Sequence, residues 1–180
     1  LFEGRFENAL DRFDAGRDGW LRTKFAHRPR AFMRATALEL MGRPDAARVE
    51  WQRANQMIVE ALAESPDDYL LHASHGIALA ALGDDERALA EGRRAMELLP
   101  VSRDARYGLV CEVDMAPIAT MLGESDLAIH QLDRLLTIPS WVSVSWIEIN
   151  PMWDPLRGQP GYAEMLDAHR SDQRKPGDSS

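Results

Sequence analysis

The sequence predicts an all-α chain, a stack of antiparallel helix pairs closed by an irregular C-terminal cap, and three observations predict it. A short cassette recurs as Leu40-Met41-Gly42-Arg43-Pro44-Asp45, Ala81-Leu82-Gly83-Asp84-Asp85-Glu86 and Met121-Leu122-Gly123-Glu124-Ser125-Asp126, with its glycines 41 and 40 residues apart. After each cassette, apolar residues return at spacings of three and four, as one buried helical face requires. The single cysteine, Cys111, rules out an internal disulfide, so packing alone has to hold the fold.

The cassette reads as a helix stop followed at once by a helix start. Glycine closes a helix in the left-handed conformation, and Asp, Ser or an early Pro suits the first turn of the next. An incomplete copy, Phe2-Glu3-Gly4-Arg5-Phe6-Glu7, stands 38 residues before Gly42. The chain therefore divides into a partial unit over 1–28, repeats over about 29–66, 67–104 and 105–139, and a cap over 140–169. Beginning at Leu1 in mid-unit, it reads as part of a longer polypeptide.

The second helix of each pair carries the clearer stripe. Ala47, Trp51, Ala54, Ile58 and Leu62 form the first, Ala88, Gly92, Ala95 and Leu99 the second, and Ala128, Leu132 and Leu135 the third. Charges such as Arg48, Arg53, Glu60, Arg87 and Glu97 fall off these stripes and read as a solvated face. Small residues, Gly76, Ala88 and Ala95 among them, let helix backbones approach closely. Helices of this length are marginal alone, so each pair needs neighbours to cover its apolar edge.

After Pro139 the pattern changes. Trp141, Val142, Val144, Trp146, Ile147 and Ile149 hint at period-two alternation, but an isolated strand leaves its backbone unpaired. Short helical turns and loop are the better reading, with the tryptophans 141, 146 and 153 sealing the end or, if exposed, serving as interface anchors. Pro160 suits the first turn of a last helix running to about His169. Residues 170–180 are polar, include Pro176 and Gly177, and read as a disordered tail.

His75-Gly76, Leu79, Gly83-Asp84, Ala88, Ala95 and Pro100 resemble a tetratricopeptide repeat in their small, large and terminal-proline positions. The units around Gly42 and Gly123 depart from it, because their helices are longer than a repeat of about 34 residues allows. The stretch from Glu91 to Leu166, with its Trp153-Asp154-Pro155-Leu156-Arg157-Gly158, is similar to the C-terminal repeat arrays of bacterial signalling proteins. Such arrays accompany serine/threonine kinase, nucleotide cyclase or winged-helix DNA-binding domains. The resemblance implies a right-handed superhelical solenoid and a non-catalytic protein–protein interaction scaffold, a regulatory module of a larger signalling protein.

In such arrays the first helix of each pair lines a concave face. The matching positions are Phe32, Thr36, Glu39 and Leu40, then Ala73, Ile77, Ala80 and Ala81, then Val113, Thr120 and Met121. This lining is mainly apolar and lacks the Lys and Asn pattern with which some relatives clamp a terminal carboxylate. It implies an apolar or amphipathic protein segment as partner, intramolecular or not, through helix-in-groove contact. The alternative, that these residues only pack helix on helix, stands beside it. Charged substitutions at Phe32 and Ile77 are expected to separate the two, removing binding but not helicity.

Other chemistry is weaker. His72 and His75 have a spacing that places two imidazoles on one helix face, as in a metal-dependent enzyme, but no HExxH glutamate accompanies them. Acid clusters such as Asp67-Asp68 and Asp84-Asp85-Glu86 sit at helix starts, where the helix dipole and free amides account for them. Cys111 lacks the signature of an activated nucleophile. No cofactor, metal or catalytic residue is expected. The basic stretch Arg22, Lys24, His27, Arg28, Arg30 and Arg34 could contact an acidic partner or nucleic acid, but lacks interleaved aromatics beyond Phe25 and Phe32 and reads as a solvated helix and loop. With 21 Lys plus Arg against 29 Asp plus Glu, a net −8, nucleic acid is an unsuitable partner. No apolar run matches a membrane span, and a cytoplasmic location is expected. Self-association into homo-oligomers through an uncapped end is a further reading.

Overall fold

The computed structural model describes residues 19–173. The incomplete cassette at Gly4, residues 1–18 of the partial unit and residues 174–180 of the tail lie outside that range. The described chain is mostly helical. Three helix pairs form its body: α1 (Arg30–Leu40) with α2 (Pro44–Glu64), α3 (Tyr69–Leu82) with α4 (Asp85–Leu98), and α5 (Gly108–Met121) with α6 (Ser125–Thr137).

All three turns within pairs are built alike, which is why the cassette repeats. Gly42, Gly83 and Gly123 have φ of 68°, 81° and 74°, left-handed values that disfavour any side chain. Each glycine N–H donates to the carbonyl three residues back, and the next N–H to the carbonyl five back: Arg43 to Leu38, Asp84 to Leu79, Glu124 to Ala119. This closes the helix end and turns the chain straight into its antiparallel neighbour. Pro44 opens α2 from the first turn. At the start of α3 the Asp68 carboxylate accepts from the amides of Leu70 and Leu71, at 2.9 and 3.2 Å.

Neighbouring pairs pack in order, α2 on α3, then α3 and α4 on α5. Within a pair, small residues allow close approach: a Cβ on Gly76 of α3 would stand 3.0 Å from the Ala88 carbonyl oxygen and 3.1 Å from the Gly92 nitrogen of α4. One core cluster runs through the pairs and includes Phe32, Trp51, Ile58, Ile77, Leu79 and Ile118. A second joins α5 and α6 to the cap through Val113, Leu132, Ile147, Trp153, Leu156 and Leu166.

The cap consists of α7 (Val144–Ile149), a 3-10 turn (Pro151–Leu156) and α8 (Tyr162–Gln173). Polar side chains explain why the alternating stretch is not a strand. Ser140 Oγ accepts from the Val142 amide, Ser143 Oγ from Trp146 and Asn150 Oδ1 from Met152, all between 3.1 and 3.2 Å. These bonds satisfy backbone groups locally. The last helix continues through residues 170–173, four residues past the boundary expected at His169.

One element departs from the helical reading. Residues 20–29, expected in a partial helical unit and a solvated loop, form an antiparallel hairpin of β1 (Trp20–Arg22) and β2 (His27–Pro29), with Leu21 opposite Arg28. The Thr23 hydroxyl accepts from the amides of Phe25 and Ala26 at 3.1 and 3.0 Å and so folds the connecting loop. Three-residue strands are not stable alone. Two long-range contacts hold them: His27 Nδ1 to Asp68 Oδ2 at 2.7 Å, and Arg28 to Asp114.

Candidate functional site

The first helices of the three pairs share a groove of about 770 Å³. Phe32, Met33 and Thr36 of α1 form one side, Ile77 of α3 lies between, and α5 contributes Leu109, Val110, Val113, Pro117 and Met121. The hairpin adds Phe25, Ala26 and Arg28. The facing wall comes from the cap, with Trp141, Trp146, Met152 and Trp153.

Aromatic packing grades from the core to the lip. Trp153 is 1% exposed; its ring centroid is 5.9 Å from that of Trp146, which meets Trp141 edge-on at 5.2 Å. Trp141 itself is 56% exposed, and Phe25 and Met121 are 45% and 36% exposed. Phe25 also contacts Tyr107 at 5.8 Å, which brings the hairpin tip to the start of α5. Water therefore touches large apolar side chains all along the lip.

The charged members of the lining are few. Arg28 Nη2 donates to both oxygens of Asp114, while its guanidinium carbon stands 4.7 Å from the Phe32 ring centroid. Arg106 lies at the lip beside Tyr107, its backbone N–H bonded to Asp104.

Of the concave residues expected from sequence, Phe32, Thr36, Ile77, Val113 and Met121 come together in this groove. The other six do not line it. Glu39 accepts a 2.9 Å bond from Trp51 Nε1 on α2, and Leu40 is exposed outside the groove. Ala73 packs with Ala95 and Cys111, and Ala80 is in the main core with Ala81 against it. The Thr120 hydroxyl turns back to the Ala116 carbonyl at 2.9 Å. Phe32 and Ile77 are 3% and 5% exposed members of the core, so a charge at either breaches packing as well as the groove. They do not separate binding from folding; Trp141 and Met121, more exposed, are the positions where a charge disturbs the core less.

Sequence reasoning missed the hairpin residues and preferred sealing over interface anchoring for the tryptophans. The signal for Phe25 and Arg28 lay in the basic stretch, most of which is engaged rather than solvated. Nothing local marks Trp141 as a lip residue.

His72 and His75 form a different arrangement, between α3 and α4. His72 Nδ1 donates to Glu91 Oε2 at 2.5 Å and Nε2 to the Pro66 carbonyl at 2.8 Å. Both nitrogens face acceptors only, so the ring is held as imidazolium, and the Glu91 bond raises its pKa against the opposing effect of burial. Burial pushes the Glu91 carboxyl up, but the hydrogen bond from His72 and the nearby His75 ring more than reverse this and leave it at about 2. His75 Nε2 bonds Asn55 Oδ1 at 3.0 Å, and its Nδ1 is 3.4 Å from Glu91. The trio staples two helices. Among the described residues no group of three or more His, Cys, Asp or Glu side chains is placed to hold a metal ion. Burial, with Asp114 and Glu112 nearby, pushes the Cys111 thiol up to about 12, where it is a poor nucleophile.

No protein-family model matches the sequence, and none of the curated proteins does. No helix among the described residues is long and apolar enough to cross a membrane.

Proposed function

We propose that this chain is a non-catalytic interaction module that holds an apolar or amphipathic segment of a partner protein in the groove between α1, α3, α5 and the tryptophan wall. One observation carries the reading: Trp141, Phe25 and Met121 stand exposed at the lip of a preformed apolar groove. Exposed apolar surface costs about 25 cal/mol per Å² relative to burial, so a partner that covers it gains that amount. Tryptophan beside a pocket is also the residue type that dominates binding energy at interfaces.

A groove lined by helices and open on one side suits a helix whose polar face stays in water. The tetratricopeptide-like right-handed solenoid and the setting, a regulatory module of a larger bacterial signalling protein in the cytoplasm, rest on the sequence resemblance and the three equal turns. Nucleic acid is a poor fit to this lining, which has few cations and many apolar side chains.

Peptide display tests the reading. Panning on the chain is expected to enrich peptides with apolar residues at i, i+3 or i+4, and i+7. Those peptides lose binding to Trp141→Asp and Met121→Asp, which keep native circular dichroism, but not to Val49→Asp on the outer surface of α2. Equal binding to all variants excludes the groove as the site.

A further inference from the structure

Resting on that reading of the groove, we infer that its occupant carries an acidic side chain beside its apolar face, received by Arg28, Arg106 and Trp153. The argument is the hydrogen-bonding inventory of the lining. Arg28 engages Asp114 through Nη2 alone, and its Nε is buried without a hydrogen-bond partner. Trp153, almost wholly buried, likewise has its indole Nε1 without a partner. Both unmatched side-chain atoms are donors. A buried donor left unmatched is destabilising, so a ligand whose acceptor meets such a donor after a small side-chain turn is favoured over one that offers none.

Charge points the same way. Among the described residues, the charged side chains of the lining are Arg28, Arg106 and Asp114, and Asp114 already faces Arg28. Arg106 forms no ion pair among the described residues. The groove thus holds one cation in excess, although the whole chain carries a net −8. A carboxylate matches both the donors and the charge, and guanidinium–carboxylate bonds are among the stronger ones available. The exposed lip selects between carriers of that carboxylate. An amphipathic helix is long enough to cover Trp141 and Phe25 with its apolar face while its polar face stays in water, whereas a small amphiphile is bound best when enclosed. The occupant is therefore a peptide helix.

Fluorescence anisotropy with defined probes tests this. The probes are fluorescein-labelled, helix-forming peptides with leucines on one face and a single Glu at either end of that face, together with their Gln counterparts. The better-placed Glu peptide is expected to bind about tenfold more tightly than its Gln counterpart. Arg106→Gln, an exposed change that leaves the core untouched, should reduce that ratio to threefold or less. Arg28→Lys, which keeps the charge but removes Nε, and Trp153→Phe should do the same with apparent melting temperatures checked alongside. Equal binding of Glu and Gln peptides overturns the acidic anchor and leaves the groove reading intact. Binding of neither peptide overturns both. Sodium dodecanoate that displaces the peptide at equal or lower concentration overturns the peptide assignment in favour of a small amphiphile.

Discussion

Arg28 Nη2 reaches both carboxylate oxygens of Asp114 at 2.8 Å, a contact that spans 86 residues and ties the hairpin to the middle of α5. Both side chains are largely out of water, at 22% and 13% exposure. Removing either partner leaves the other facing a partly dry wall. Asp114→Ala is expected to destabilise the chain by about 1–3 kcal/mol, and the double variant with Arg28→Met by less than the sum of the two. Urea unfolding midpoints check this. Additive losses would mean that the contact does not couple hairpin and helix.

The glycines of the helix contacts give a ranked expectation. A Cβ on Gly108 would stand 2.8 Å from three backbone atoms, at Leu99, Pro100 and Val101, none of which moves easily. On Gly76 it would meet the flexible end of Ile118 but also two backbone atoms of α4. On Gly92 it would meet only Met115 Sδ and Ile118 Cδ1, which can turn aside. Overpacking costs about 1–3 kcal/mol, offset in a helix by about 1 kcal/mol of propensity for Ala over Gly. Thermal unfolding should order the losses Gly108→Ala, Gly76→Ala, Gly92→Ala, with the last near zero.

The His72–Glu91 pair makes stability depend on pH in a bounded window. His72 has a raised folded pKa, so its contribution is complete below the ordinary 6.5 and is lost as pH rises through the folded value. Glu91 is depressed from 4.5 to about 2, so its contribution is complete above 4.5 and is lost as pH falls through about 2. The two overlap between about 4.5 and 6.5. The stability difference between the native chain and His72→Gln should be largest near pH 5.5, on the order of 1–3 kcal/mol, and shrink on either side. A difference that is flat from pH 3 to 9 would contradict it.

Much of the helical framework is legible because its determinants are local. Gly42, Gly83 and Gly123 each announce a left-handed residue, and the spacings of Trp51, Ala54 and Ile58 describe one buried face that the folded chain keeps. The hairpin is not legible, because Trp20–Arg22 and His27–Pro29 are too short for periodicity and depend on Asp68 and Asp114, distant in sequence. The groove is legible in part. Phe32, Thr36, Ile77, Val113 and Met121 follow from which helix comes first in each pair. Glu39 and Leu40 continue the same helix, but Trp51 claims the Glu39 carboxylate and Leu40 lies beyond the lining. The tryptophan wall depends on how the cap folds back over α5, which no local pattern of Trp141, Trp146 and Trp153 encodes.

The five tryptophans provide the most direct measurement of the central claim, because their indole N–H signals report separately on the groove and on the rest of the chain. Trp141, Trp146 and Trp153 line the groove, whereas Trp20 lies on β1 and Trp51 is bonded to Glu39 in the core. Titrating the unlabelled leucine–glutamate peptide into ¹⁵N-labelled chain should shift or broaden the indole signals of residues 141, 146 and 153 and leave those of 20 and 51 in place. Unchanged signals at the three wall positions, or equal movement at all five, would contradict a groove that binds.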